Sequence, residues 1–313
     1  MHFIKPKKLK HGDVIGICSP ASPPQSEEKL NRGISYLERI GFRVELGKHI
    51  FKKYGYLAGS DKERAADLNN LFSNPKVKAI FTTRGGYGSQ RILSILDYRT
   101  IRRNPKILVG YSDITALHLA LLSKAGLITF SGPMVTVQMS SRLKGKVEEQ
   151  FWDMLMSSKI PKPMQSASSL EKILASQGKA SGRLIGGNLS VLTELVGTQF
   201  FPNINKSILI VEEVDERPYR IDRMLQHIRY SGIYKNIRGI ALGKFVSCKA
   251  DKKKPTLTLK HIFRDTFSDS NIPIVSGFRF GHIQNSECFP IGVQVHLDGN
   301  KKIIKFLESG VTK

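Results

Sequence analysis

The sequence predicts an α/β protein of two domains, the first built on a mainly parallel sheet and the second containing a substantial β component. Three features carry this reading. Apolar runs such as VIGIC, VKAIF and KILVG alternate with segments of helical periodicity, the pattern of a parallel sheet covered by helices. The chain has 313 residues, enough for more than one core. Residues 157–182 then interrupt the periodicity with Pro, Ser, Lys and Gly, the composition of an interdomain connection. The expected division is 1–156, a linker at 157–182, and 183–313.

From Asp13, VIGICSP reads as the first strand. Residues 26–40 place Leu30, Ile34, Leu37 and Ile40 on one helical face, and FRVELG completes a β-α-β opening. A helix over residues 62–72 precedes the strand VKAIFTT. After the glycine-rich RGGYG come SQRILSILDY, the strand KILVG and the helix ITALHLALLSKAG. Ligands of open α/β sheets collect at the carboxyl ends of the strands, so the turns after Thr83 and Gly110 are the places to search. Beyond the linker, RLIGGNLSVLTELVG reads as a glycine turn leading into a helix, ILIVEEV as a short strand, and YRIDRMLQHIRYSG as a helix closed by Gly232. GIALGKFV, IPIVSGF, VQVHLD and KIIKFL read as further strands.

Composition excludes several classes. With 40% hydrophobic and 24% charged residues the chain is globular. No apolar run approaches the roughly 18 residues needed to cross a bilayer, and the basic start MHFIKPKKLK has no apolar stretch or cleavage site behind it. A cytoplasmic protein without membrane insertion is therefore expected. The three cysteines, Cys18, Cys248 and Cys288, form no C-x-x-C pair and read as small buried hydrophobes. No H-E-x-x-H motif or His/Asp cluster offers metal ligands, so neither a metal nor another cofactor is expected. The 49 basic and 26 acidic residues give a net charge of +23, a field that attracts polyanions without specifying one. Lysines gather at Lys5, Lys7, Lys8 and Lys10 and at Lys249, Lys252, Lys253 and Lys254, with little aromatic interleaving for base stacking. A solvated basic surface is expected rather than a specific nucleic-acid face; an anionic substrate would also suit it.

Chemistry points first to Ser112, in GYSDIT, where a buried strand meets a turn and then a helix. A serine hydroxyl becomes a useful nucleophile when it is exposed on a tight turn, close to a base and beside N–H donors for the oxyanion. A strand-to-helix elbow supplies the turn and the donors, although Ile114 stands where G-x-S-x-G has its second glycine. The alternative is that Ser112 or Asp113 caps the helix. Arg84-Gly85-Gly86-Tyr87-Gly88 matches neither nucleotide-binding glycine pattern; it reads as one wall of an oxyanion hole or as an ordinary turn. Of eight histidines, His118, His227 and His261 fall on helices, and His2, His11, His49 and His296 have no motif around them. His282 follows a strand on a glycine-bearing loop. The candidate orienting acids are Glu212, Glu213, Asp215 and Glu216, where two adjacent acids at a strand end are costly to bury without partners; the alternative is a pair of surface acids.

These segments taken together resemble the LD-carboxypeptidase family of serine peptidases, which includes the microcin-immunity hydrolases. The likeness is carried by GDVIGICSPAS, GYLAGSDKERAADLN, RGGYG, GYSDITALHLAL, TFSGPM, GGNLSVL, ILIVEEVDERPYRIDRML and FGHIQNSECFPIGVQV. It implies Ser112 as nucleophile, Glu212 as triad carboxylate and His282 as base, with Glu213 standing where the family often has Asp and Cys288-Phe289 replacing a more usual pair. It also implies a Rossmann-like N-terminal domain, a C-terminal domain with a small β-barrel, a homodimer, and a murein tetrapeptide substrate cut before its terminal D-alanine in cell-wall recycling. The N–H groups of Gly86 and Asp113 are then the candidate oxyanion hole, and Arg84 the candidate partner of the substrate carboxylate. Two rival readings share the sequence: an amidase acting on a peptide-nucleotide antibiotic, and a noncatalytic protein binding a ligand or nucleic acid through its basic surface.

Overall fold

The computed structural model describes residues 2–141, 143, 145–166, 177–250 and 255–313. Two structural units emerge: Met1–Lys159 with Cys288–Gly292 and Ser309–Lys313, and Ile160–Glu287 with Val293–Glu308, so the chain passes between them four times. The first unit thus takes two short segments from the far end of the sequence, where a single division across a linker at 157–182 was expected. Of the expected linker, residues 167–176 lie outside the described residues; Met164–Gln165 and the start of Lys179–Asn188 are strands of the second unit. Lys252, Lys253 and Lys254 of the second basic cluster also lie outside the described residues.

The first unit runs β1 (Val14–Cys18), α1 (Glu27–Arg39), β2 (Arg43–Leu46), α2 (Asp61–Ser73), β3 (Val77–Thr82), α3 (Tyr98–Arg103), β4 (Ile107–Gly110), α4 (Thr115–Ala125), β5 (Thr129–Ser131) and α5 (Lys146–Met156). Its strands lie in the order 2-1-3-4-5, all parallel, with Phe289–Ile291 added antiparallel to β5 at the edge. Helices cover both faces, as expected of a doubly wound sheet, but the order is the flavodoxin type and not that of dinucleotide-binding Rossmann folds. The reason α1 stops and starts where it does is local: Ser26 caps it by accepting from the Lys29 N–H, and its buried residues Leu30 and Leu37 join Ile15, Ile17, Phe81 and Phe151 in one apolar cluster. The lone tryptophan, Trp152 of α5, stacks on Phe42 at 5.0 Å and donates its indole N–H to Tyr36 at 2.8 Å. On the other face α2 presents Leu71 directly to Gly16, where a Cβ would meet the leucine at 2.7 Å.

The second unit contains β6 (Met164–Gln165), β7 (Lys179–Asn188), α6 (Leu189–Leu195), β8 (Ser207–Val214), α7 (Pro218–Tyr230), α8 (Ile233–Asn236), β9 (Gly239–Val246), α9 (Leu259–Phe267) and β10 (Ile274–Ser276). After β11, the Phe289–Ile291 strand of the first unit, it resumes with β12 (Gln294–Asp298) and β13 (Ile303–Phe306). The seven strands form one mixed sheet in the order β10-β9-β8-β7-β12-β13-β6. The implied small β-barrel is corrected here: no ladder joins β6 to β10 among the described residues. The two edges do approach, since the Ser166 hydroxyl beside β6 donates to the Ser276 carbonyl of β10 at 2.7 Å. The expected glycine turn in RLIGGN is also absent, because Gly186 and Gly187 lie inside β7. A Cβ on Gly186 would stand 1.9 Å from the Ile210 carbonyl oxygen, so glycine here permits close backbone approach between β7 and β8.

His118, expected on a helix, is 1% exposed in α4 and is hydrogen-bonded at both ring nitrogens. Its Nε2–H donates to the Gly110 carbonyl at 2.9 Å, and its Nδ1 accepts from the Thr129 hydroxyl at 2.9 Å, which ties α4 to the ends of β4 and β5. Burial lowers its pKa to about 4 from 6.5. The unfolded chain therefore binds the proton more readily, and this site's contribution to stability is complete above pH 6.5 and lost as the pH falls toward 4. His118→Gln should flatten the acid side of the stability curve by about 3 kcal/mol between those limits, measured by urea denaturation at a series of pH values. An unchanged slope would show that the ring does not titrate as its burial requires.

Candidate active site

In the first unit, β4 ends on Gly110 and the chain turns sharply into α4 through Tyr111, Ser112 and Asp113. Ser112 sits at φ 65, a left-handed backbone that L side chains rarely adopt outside functional turns. This is the elbow that the sequence context implies. Tyr111 is steadied by a hydrogen bond from Gln138 Nε2 to its hydroxyl at 2.8 Å. The RGGYG loop lies against the serine: a Cβ built on Gly85 would be 2.9 Å from Ser112 Cβ and 3.1 Å from its Oγ, so no larger residue fits without displacing it.

Asp113 does not cap α4. Its carboxylate is buried and accepts from the Ser89 N–H at 2.8 Å and the Gly88 N–H at 3.3 Å. Burial raises its pKa, while those N–H groups and the Arg64 guanidinium oppose the rise. Arg64, 1% exposed in α2, donates to the Gly88 carbonyl at 2.8 Å and also to the Pro20 carbonyl and Asp61. Ser22 adds two more ties, its N–H to the Gly85 carbonyl at 3.4 Å and its Oγ accepting from the Tyr87 N–H at 3.2 Å. Gly86, at φ +105, has an N–H with no protein acceptor among the described residues. Arg84 is half-buried, with Nη2 3.6 Å from where a Gly86 Cβ would stand.

In the second unit, Glu212 and Glu213 end β8, 4% and 2% exposed. The β8–β9 register shifts between Val211 and Glu213, an irregularity of the kind that redirects side chains at strand ends. Glu212 Oε2 lies 2.8 Å from His282 Nδ1, so the ring donates from Nδ1 and, when neutral, carries its acceptor at Nε2. Glu213 faces other donors: Asn188 Nδ2 at 2.8 Å, the Ser190 N–H at 2.8 Å, the Ser190 hydroxyl at 2.6 Å and the Val214 N–H at 2.9 Å. Burial raises its pKa and those four bonds counter it. The choice between the two acids is thereby answered in favour of Glu212 as the histidine's partner.

Of the residues singled out in the sequence, Arg84, Gly86, Ser112 and Asp113 gather in the first unit and Glu212 and His282 in the second. Asp215 and Glu216 are not part of the His282 contact; Glu216 pairs with Arg220 at 3.0 Å. Asn188 escaped notice. As N-cap of α6 it accepts from the Val191 N–H through Oδ1, which turns its Nδ2 toward Glu213 at 2.8 Å and Glu212 at 3.3 Å. The Asn following two glycines at the head of a helix was the available signal. Gly281 was missed in the same way, and only its place before His282 pointed to it. No cluster of three or more metal-ligating side chains occurs among the described residues, and no helix among them is long and apolar enough to cross a membrane.

Gly281, at φ +118, holds the contact open: a Cβ there would meet Glu212 Oε2 at 2.8 Å and its Cβ at 3.1 Å. Gly281→Ala should lower stability by about 1–3 kcal/mol and abolish the downfield imidazole N–H resonance of a carboxylate-bonded histidine. A downfield signal matching that of the unaltered protein would overturn the steric argument.

Comparison with known proteins identifies the family. Residues 15–132 match the LD-carboxypeptidase N-terminal domain and residues 181–297 the LD-carboxypeptidase C-terminal domain. The chain is 37% identical over 309 residues to a probable murein peptide carboxypeptidase of Bacillus subtilis, covering 99% of this chain and 96% of that one. It is 31% identical over 338 residues to the Microcin C7 self-immunity protein MccF of Escherichia coli, covering 98% and 96%. The solved structure of wild-type apo MccF superposes with a TM-score of 0.86 at 29% identity, covering 99% of this chain and 100% of that chain. That of the muramoyltetrapeptide carboxypeptidase from Oxalobacter formigenes gives 0.83 at 29%, covering 93% and 97%. Matched in both domains and along nearly its whole length, the chain belongs to the LD-carboxypeptidase family of peptidases.

Proposed function

We propose that this protein is a serine-type murein tetrapeptide carboxypeptidase that removes terminal D-alanine by way of an acyl-enzyme. The observation that carries the reading is Ser112 in a left-handed elbow with the glycine loop against its side chain. Neutral His282, oriented by Glu212, takes the Ser112 proton as Oγ attacks the carbonyl of the diaminopimelate centre. The tetrahedral oxyanion is held by the N–H groups of Gly86 and Asp113, a role favoured by the absence, among the described residues, of a protein acceptor for the Gly86 N–H. His282 then delivers its proton to the departing D-alanine amine as the C–N bond breaks. Water, deprotonated by the same imidazole, hydrolyses the ester and frees the tripeptide. Arg84 pairs with the carboxylate of the leaving D-alanine, and the net charge of +23 favours so anionic a substrate. No cofactor is called for. Work as a cytoplasmic homodimer in peptidoglycan recycling belongs to the same proposal, and the murein substrate draws support from relatives named for murein peptides.

Incubation with L-Ala-γ-D-Glu-meso-diaminopimelate-D-Ala should release D-alanine, read by mass analysis, and Ser112→Ala should lower kcat by roughly 10⁴–10⁶-fold. Undiminished turnover by Ser112→Ala would remove the serine mechanism. Turnover of an aminoacyl-nucleotide sulfamoyl compound in place of the tetrapeptide would favour the immunity-type amidase that MccF represents among the relatives. Arg84→Ala should raise KM for the tetrapeptide more than for its C-terminal amide; equal effects would detach Arg84 from the carboxylate.

A further inference from the structure

The Arg84–Ser89 loop is held along its length by groups outside it. Ser22 takes the Gly85 carbonyl and the Tyr87 N–H, Arg64 takes the Gly88 carbonyl, and the Asp113 carboxylate takes the Gly88 and Ser89 N–H groups. Among the described residues the N–H groups of Tyr87, Gly88 and Ser89 have protein acceptors, whereas that of Gly86, like those of Arg84 and Gly85 before it, has none. The Gly88 peptide is clamped at both ends, its N–H by an acid and its C=O by a base, and both side chains are buried. Asp113 is also the residue next to Ser112, on the same short turn. One three-residue segment therefore carries the serine and, through the next side chain, fixes the loop that lies against it.

We propose that the Asp113 carboxylate is a positioning residue for oxyanion stabilisation: by accepting the Gly88 and Ser89 N–H groups it sets the Gly86 N–H relative to Ser112. The role rests on the reading of Ser112 as nucleophile and Gly86 as donor. Hydrogen bonds to an oxyanion matter only once the carbonyl becomes tetrahedral, so misplacing the loop weakens the transition state and leaves substrate binding nearly intact. The geometry is exacting, because a shift of about 1 Å in a positioned group can cost on the order of 10²-fold in rate. A carboxylate suits the task where an amide does not. Both of its oxygens accept, whereas an asparagine would turn an NH₂ toward one of two N–H donors. Arg64 lies within electrostatic reach of Asp113, which balances the buried negative charge.

The test is Asp113→Asn, isosteric with the native side chain. It should lower kcat by roughly 10²–10³-fold with KM changed less than about threefold, as for loss of an oxyanion donor. Affinity for a peptide boronic acid, which forms a tetrahedral adduct on the serine, should fall by the same factor, while affinity for the tripeptide product stays unchanged. Full kcat in Asp113→Asn, or a parallel loss of tripeptide affinity, overturns the proposal. In the unaltered protein, where folding is not at issue, the Gly88 and Ser89 amides should exchange slowly with and without boronate. Exchange at the rate of an open loop overturns it as well. An unaltered protein that neither turns over tetrapeptide nor binds the boronate refutes the functional reading and this role with it, whereas wild-type turnover with an indifferent Asp113→Asn removes this role only.

Discussion

Two adjacent carboxylates are buried at the end of β8, and an ionised acid removed from water is tolerated only where donors surround it. This requirement organises the carboxyl end of the second unit's sheet. Glu213 draws in the first turn of α6 through Ser190, and Asn188 spans both acids from the end of β7. Glu212 requires a donor from elsewhere and finds His282, which brings the 281–286 loop over the strand end. That loop is fastened in turn, because Gly281 donates to Ser286 at 3.0 Å while Phe278 and Phe280 are buried in the core behind it. The first unit meets the same requirement at Asp113, with backbone N–H groups in place of side chains.

Much of the first unit was legible in the sequence because its signals are local. The helical segments read over residues 26–40 and 114–126 match α1 and α4 to within a residue or two. The elbow at Ser112 could be read from a buried strand running into a helix, since backbone geometry follows from those neighbours. The second unit was harder. Gly186 and Gly187 look like a turn until β8 is seen to approach β7 too closely for any side chain, and that is a contact between segments more than twenty residues apart. Closure of the sheet into a barrel was likewise unreadable, since it depends on whether β6 and β10 pair and not on the character of either strand.

The candidate site shows the same division. Residue types and turns pointed to Ser112, His282 and the acidic pair, but the separate duties of Glu212 and Glu213 depend on an irregular β8–β9 register and on the amide of Asn188. Asp113 was legible as a helix cap or a backbone donor. Its side chain took another course, accepting the N–H groups of Gly88 and Ser89. Local propensity offered it several partners, and tertiary packing selected among them.

The edge strand β11 and the last residues, where Lys7 bridges Thr312, belong to the unit that begins the chain. During synthesis the five parallel strands can assemble early, yet the β5 edge stays uncovered until residue 291 has left the ribosome. The nascent protein thus carries an unpaired strand edge from the synthesis of β5 until β11 follows it.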